Sequence, residues 1–219
     1  MEVLDKHGIR ATVLLNSDVC EQHKTIISEG NKRKWEWLGH GVTNNMRMNQ
    51  YPADQERAVI RQIRQTIAAA TGKAPRGWLG PGGGDENPDT LDHLAAEGFD
   101  YVCDWGCDDQ PIAMRVKSGR MIGIPYQQGL NDIRVIFQGG HTPKDWYQMV
   151  CDQFDTLYAE GETQGRVMTI PLHPFVIGLA FRIKYLDMAL DYICSHHGVW
   201  KTTGSEVADH FYAHYYETP

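Results

Sequence analysis

The chain has 219 residues, 42% hydrophobic, 22% charged and 10% aromatic, which are globular values and exclude a disordered, collagenous or coiled-coil protein. That length suits one sizeable core, so a single domain over residues 1–219 is expected. With 21 basic against 28 acidic residues the net charge is −7, which leaves no overall basic footprint for nucleic acid or an anionic membrane as partner.

Val3 to Gly8 reads as the last turn of a helix closed by a glycine. Ile9 to Leu15 is an apolar, β-branched run, a strand candidate ending in Asn16-Ser17-Asp18, and a helix is expected from about Val19 to Gly30. Trp35 to Leu38 is a short strand candidate running into Gly39-His40-Gly41. From Ala53 to Ala70, Val59, Ile60, Ile63, Ile67 and Ala70 recur at helical spacing until Gly72 stops the helix. Then follow Arg76-Gly77-Trp78-Leu79, a glycine-rich loop from Gly80 to Gly84, a helix from about Asp89 to Glu97, and a strand from Phe99 to Cys103.

Met121 to Ile124 and Arg134 to Phe137 are further short strand candidates. Thr142-Pro143 is a cap with proline at the first helical position, and one apolar stripe carries that helix on to Gly161. Val167 to Leu172 reads as a buried strand ending in His173. A helix from about Phe181 to His197, a strand from Val199 to Lys201 and a helix from Ser205 to Tyr216 complete the chain. Strand followed by helix, repeated with short loops, predicts a parallel α/β fold, either a barrel or a doubly wound sheet.

No apolar run approaches the ~20 residues of a membrane span, and the first residues lack the basic-then-apolar order of a signal peptide, so a cytoplasmic protein is expected. Five cysteines without a C-x-x-C pair predict reduced, mainly buried thiols. The glycine loop lacks both the Gly-Lys-Ser/Thr of a phosphate loop and the G-x-G-x-x-G of a dinucleotide site.

In parallel α/β folds the chemistry gathers at the carboxyl ends of the strands. There the chain offers Asn16-Ser17-Asp18, His40, Trp78, Asp104-Trp105, Tyr126 and His173. His40 and Asn44 lie four apart, which on a helical turn would turn both side chains to one side. His173 at a strand end is placed to give a proton to a leaving group. Three plainer readings stay open: His40 bonds only to backbone, His173 is a satisfied buried histidine, and Asp104 to Asp109 is a solvated acidic loop.

Five strings, in order over nearly the whole chain, resemble the polysaccharide deacetylase family, its allantoinase-like branch above all. They are Gly8-Ile9-Arg10-Ala11-Thr12, Trp37-Leu38-Gly39-His40-Gly41, Pro75-Arg76-Gly77-Trp78-Leu79-Gly80-Pro81-Gly82, Phe99-Asp100-Tyr101-Val102-Cys103-Asp104-Trp105 and Leu172-His173-Pro174. The resemblance implies a distorted (β/α) barrel and a hydrolase that removes acetyl or other acyl groups or cleaves a non-peptide C–N bond. It implies a divalent ion, usually Zn²⁺, that polarises the acyl carbonyl and acidifies a bound water. His40 falls on the family's first metal histidine and Asn44 on its second. His173 falls on the general acid, Arg76 on the arginine that orients the base, Asp104 on the aspartate that holds that arginine, and Trp105 on a pocket wall. Trp78, Trp105 and Tyr126 are the aromatic candidates for holding an oligosaccharide or small-molecule substrate.

The family's paired aspartates belong to a first strand that would precede residue 1, so a truncated barrel is expected, together with a homo-oligomer that covers its open edge. With only His40 intact among the family's ligands, tight zinc binding by this chain alone is not expected. Promiscuous esterase activity is then the natural expectation, and the competing one is an inactive relative that binds a carbohydrate or small amide.

Overall fold

The computed structural model describes residues 1–83 and 86–217; Gly84, the last residue of the glycine-rich loop, lies outside them. The described residues form two compact units. A sheet unit holds Arg10–Trp105, Pro111–Ile124 and the chain from Thr202 onward, and a helical unit holds Met1–Ile9, Gly106–Gln110 and Pro125–Lys201.

The sheet unit contains β1 (Thr12–Leu15), β2 (Glu36–Gly39), β3 (Gly77–Trp78), β4 (Tyr101–Val102), β5 (Ile112–Met114) and β6 (Met121–Gly123) in the order β1-β2-β3-β4-β6-β5. All neighbours are parallel except β5 with β6. Register follows burial: Val13 pairs with Trp37 and Leu14 with Leu38, so the two apolar strands share their faces. The Ile112–Met114 strand was not expected, because its three residues are too short for any periodicity to be read.

The unit's helices α2 (Ser17–Gln22), α3 (Lys24–Lys32), α4 (Ala53–Thr71) and α5 (Thr90–Ala96) pack around the sheet, with α4 against α2, α3, α5 and β2. Ile60, Ile63 and Ile67 of α4 are fully buried and Val59 partly so, as the stripe read from the sequence predicts, whereas Ala70, its last member, is exposed. Gly72 ends α4 in the left-handed region at φ 80°, where a side chain would be strained. The single helix expected from Val19 to Gly30 is two, because His23 leaves helical geometry at φ −133° and ψ 53°.

The helix that closes this unit, α8 (Gly204–His214), is anchored by one carboxylate. Glu36 accepts from the Tyr101 hydroxyl at 2.7 Å, from Thr12 Oγ1 at 3.0 Å, and from the Ser205 amide at 3.1 Å and the Ser205 hydroxyl. Negative charge at a helix N-terminus satisfies amides that lack intrahelical partners. Glu36→Ala is therefore expected to cost about 2–3 kcal/mol by leaving half-buried donors unsatisfied. A lowered urea midpoint with unchanged slope would show it, and an unchanged midpoint would refute it.

The helical unit holds α1 (Glu2–Lys6), α6 (Pro143–Glu160) and α7 (Ile183–Cys194), with α6 packed on α7. Trp146, Val150 and Phe154 of α6 meet Leu186, Ala189 and Leu190 of α7 in its core. The expected cap is present: Thr142 Oγ1 accepts from the Asp145 amide at 3.2 Å, and Pro143 takes the first helical position.

Three expected strands here are not strands. Arg134–Phe137 lies in a π-helical turn, Ile133–Gln138, begun by Asn131 Oδ1 accepting from the Ile133 amide at 3.1 Å. The run 167–172 is extended but without a ladder. The Thr169 amide donates to Gln127 Oε1 at 2.6 Å, a side chain taking the place of a strand, and Pro171 has no N–H to give. Val199–Lys201 likewise pairs with no strand, and Lys201 Nζ instead donates to the His7 carbonyl at 2.8 Å. No helix among the described residues is long and apolar enough to cross a membrane.

Candidate functional site

The carboxyl ends of β1, β2, β3 and β4 bring Asn16, His40, Leu79-Gly80 and Asp104 into one hydrogen-bonded group. His40 follows β2, its amide donating to the Leu15 carbonyl at 3.1 Å. Its Nδ1 lies 2.5 Å from the Leu79 carbonyl oxygen, and the Asn16 side-chain amide donates to the His40 carbonyl. A carbonyl can only accept, so Nδ1 carries a proton. That is how metal-binding histidines are commonly braced.

The rest of the implied metal site does not assemble. Gly41, at φ 69°, turns the chain after His40, and Asn44 lies in an exposed turn instead of on a shared helical face. Among the described residues no group of three or more His, Cys, Asp or Glu side chains could hold an ion. Among the described residues, one braced imidazole and the exposed Asn44 amide do not make a zinc donor set, so they do not fit the metal that the resemblance implies.

Arg76 and Asp104 are not brought together. Arg76 precedes β3, at the sheet's amino end, and its guanidinium binds Asp100 and Asp209, each with an N–O distance of 2.8 Å. Asp104 follows β4 at the opposite end, where its Oδ1 accepts from the Gly80 amide at 2.7 Å. The expected Asp104–Arg76 pairing is thus corrected, for the reason that the two residues stand at opposite ends of adjacent parallel strands. Arg76 fastens α8 through Asp209 and has no place among the strand-end groups.

Trp78 also departs from its expected role. It is fully buried, edge-on to Phe99 with ring centroids 5.6 Å apart, and its indole N–H donates to Glu86 at 3.2 Å. Trp105 is partly buried against the same core. Burial and the neighbouring Asp104 push the Cys103 thiol well above the ordinary range, which disfavours its thiolate.

Burial first, then the nearby Glu86 carboxylate, raises the Asp104 carboxyl well above the ordinary range, and its buried Oδ2 has no hydrogen-bond partner among the described residues. A raised folded-state pKa means that the folded chain holds this proton longer than the unfolded chain, so stability falls as pH rises above the unfolded value of ~3.9. Asp104→Asn keeps an acceptor for Gly80 and removes the charge. It is expected to raise the Tm at neutral pH, the gain shrinking as pH falls toward about 4. Thermal melts across that range check it, and a Tm difference independent of pH would count against it.

The helical unit carries a second arrangement, which the sequence reading only half found. Asp132 is fully buried at the start of the π-helical turn. Its Oδ2 accepts the His173 amide at 2.8 Å and the Ile177 amide at 3.3 Å, while Oδ1 lies 2.7 Å from His173 Nδ1. A carboxylate held by two amides fixes the imidazole with Nδ1–H toward Asp132 and leaves Nε2 for chemistry. The His173 side chain is 32% exposed. Phe175 stands edge-on to the ring at 5.6 Å. Tyr126, expected to bind substrate, receives a long 3.4 Å hydrogen bond from Asn131, next to the dyad's aspartate. The only signal for Asp132 was Asn131-Asp132 before an apolar run, which reads equally well as a turn.

The polysaccharide deacetylase family profile matches residues 1–102. A Schizosaccharomyces pombe protein, named as a polysaccharide deacetylase by inference, is 34% identical over 87 residues, covering 39% of this chain and 27% of that protein. The matched region thus spans about a quarter of that relative's length. Among solved structures, PuuE allantoinase superposes at a TM-score of 0.89 with 27% identity, over 99% of this chain and 72% of that one. A Pseudomonas aeruginosa PAO1 protein described as a probable polysaccharide deacetylase superposes at 0.90 with 26% identity, over 98% of this chain and 71% of that one. The mixed α/β sheet accords with these likenesses, and it is the polysaccharide deacetylase family that residues 1–102 of this chain resemble.

Proposed function

We propose that the chain is a hydrolase acting on acyl groups or on a non-peptide C–N bond, with the His173–Asp132 pair as its proton-transfer group. The observation that supports this reading is the buried Asp132 carboxylate, which holds His173 Nδ1 and leaves Nε2 outside that pair, on a side chain 32% exposed. Nε2 can take a proton from a water that attacks the acyl carbonyl, then return it to the departing alcohol or amine. Asp132, accepting from Nδ1, steadies the imidazolium as it forms.

An alcohol leaves more readily than an amine, so a small activated acetyl ester is the substrate on which this pair acts fastest, with N-acetylated sugars and small amides slower. Esterase activity is accordingly part of the proposal, and an oligosaccharide or small molecule is its substrate class. Arg76 and Trp78 have no part in it. Asp104 and His40, at the strand ends of the sheet unit, are given no step with His173. Self-association through β1, an edge strand whose one ladder partner is β2, belongs to the same reading, and a monomer by light scattering would remove it.

The test is hydrolysis of 4-nitrophenyl acetate and of an N-acetylated chitooligosaccharide by the purified chain. Turnover of the ester above the buffer rate is expected. No turnover of either, combined with heat stabilisation by the oligosaccharide, would replace this reading with that of a binding protein.

A further inference from the structure

Helix α8 ends on a pair of histidines that no step above uses. His210 and His214 are four residues apart on one exposed face, with ring centroids 4.7 Å apart and ring planes at 62°. We propose that His210 and His214 together bind one borderline divalent cation of the Zn²⁺, Ni²⁺ and Cu²⁺ class, with water filling its remaining positions.

Three observations support this. Residues four apart on a helix place two imidazoles on one side, the spacing at which two histidines can share a single ion, and the rings stand 4.7 Å apart. The pair stands at the carboxyl end of α8, His214 being its last residue, where the carbonyls of the final turn favour a cation. The acidic neighbours are committed elsewhere: Glu206, one turn earlier, is held by Arg10 at 2.6 Å, and Asp209 by Arg76 at 2.8 Å. The donors are therefore nitrogens, which select Zn²⁺, Ni²⁺ or Cu²⁺ over the oxygen-seeking Mg²⁺ and Ca²⁺. Tyr215 lies beside both rings, at 5.7 Å from His210 and 6.2 Å from His214, and walls one side of the pair. A bound ion would clamp the last turn of the helix, where fraying is otherwise easiest.

The experiment is competition for Zn²⁺ between a chromogenic chelator and the full chain, as wild type and as His210→Gln, His214→Gln and His40→Gln. Glutamine keeps the helix propensity, and far-UV circular dichroism reports that each variant is folded. Either α8 substitution is expected to weaken Zn²⁺ binding by at least roughly tenfold, since a single imidazole remains. His40→Gln is expected to bind as wild type does, and millimolar Mg²⁺ or Ca²⁺ to displace nothing. In the same preparations Ni²⁺ is expected to raise the Tm of wild type and not that of the His210→Gln/His214→Gln double variant. Wild-type affinity in both α8 variants, or a loss confined to His40→Gln, would overturn the proposal.

Discussion

Trp146→Ala is expected to destabilise the chain by about 3–5 kcal/mol, the range for removing a buried aromatic side chain and leaving a cavity. Trp146 is fully buried on α6 among Val150, Leu186 and Leu190, and its indole N–H donates to the Leu130 carbonyl at 2.8 Å. Truncation therefore removes the packing and strands a buried acceptor at once. The site is involved too, because Leu130 lies two residues before Asp132 and fixes the chain that delivers it. Trp146→Phe separates the two effects. It keeps most of the ring and loses the hydrogen bond, so it should cost only about 1–2 kcal/mol while still lowering ester turnover. Equilibrium urea unfolding beside kcat would show this split. A Trp146→Phe chain with wild-type turnover would mean that the Leu130 bond does not set Asp132.

His173→Ala is expected to lower ester turnover by a factor on the order of 10² to 10⁴, the usual contribution of a positioned acid–base group. Asp132→Asn should do nearly as much without touching the reacting nitrogen. Asparagine still offers Oδ1 to Nδ1–H but turns an NH₂ toward the His173 and Ile177 amides, two donors facing a donor. The ring then loses its fixed tautomer and orientation. The loss should fall on kcat with little change in KM, since Asp132 is fully buried and out of a substrate's reach. Steady-state kinetics with 4-nitrophenyl acetate would check both variants. Full turnover in Asp132→Asn would assign the carboxylate to folding alone.

Much of the sheet unit could be read from residue order, because its longest helix, Ala53–Thr71, is periodic and its strands β1 and β2 are apolar runs bounded by turn residues. The helical unit was harder. Val167–Leu172 and Arg134–Phe137 are β-branched and apolar, yet their backbone groups are met by the Gln127 side chain and by a π-helical turn, neither of which has a local signature. The site shows the same divide. His40 and His173 announce themselves by following apolar segments. Asp132 does not, because its partner is 41 residues away and only the folded chain brings them together. Arg76 and Asp104 misled because one precedes β3 and the other follows β4, so the parallel pairing sets them at opposite ends of the sheet. Trp78 misled because an aromatic at a strand end is as well suited to the core as to a pocket.

The central claim is that the His173 imidazole itself moves the proton during hydrolysis. Adding imidazole to the His173→Ala chain tests it most directly, with 4-nitrophenyl acetate as substrate and the imidazole-only rate subtracted. Turnover that rises with imidazole and saturates, reaching a sizeable part of the wild-type rate, is the predicted result. Wild-type turnover in His173→Ala before any imidazole is added would contradict the claim.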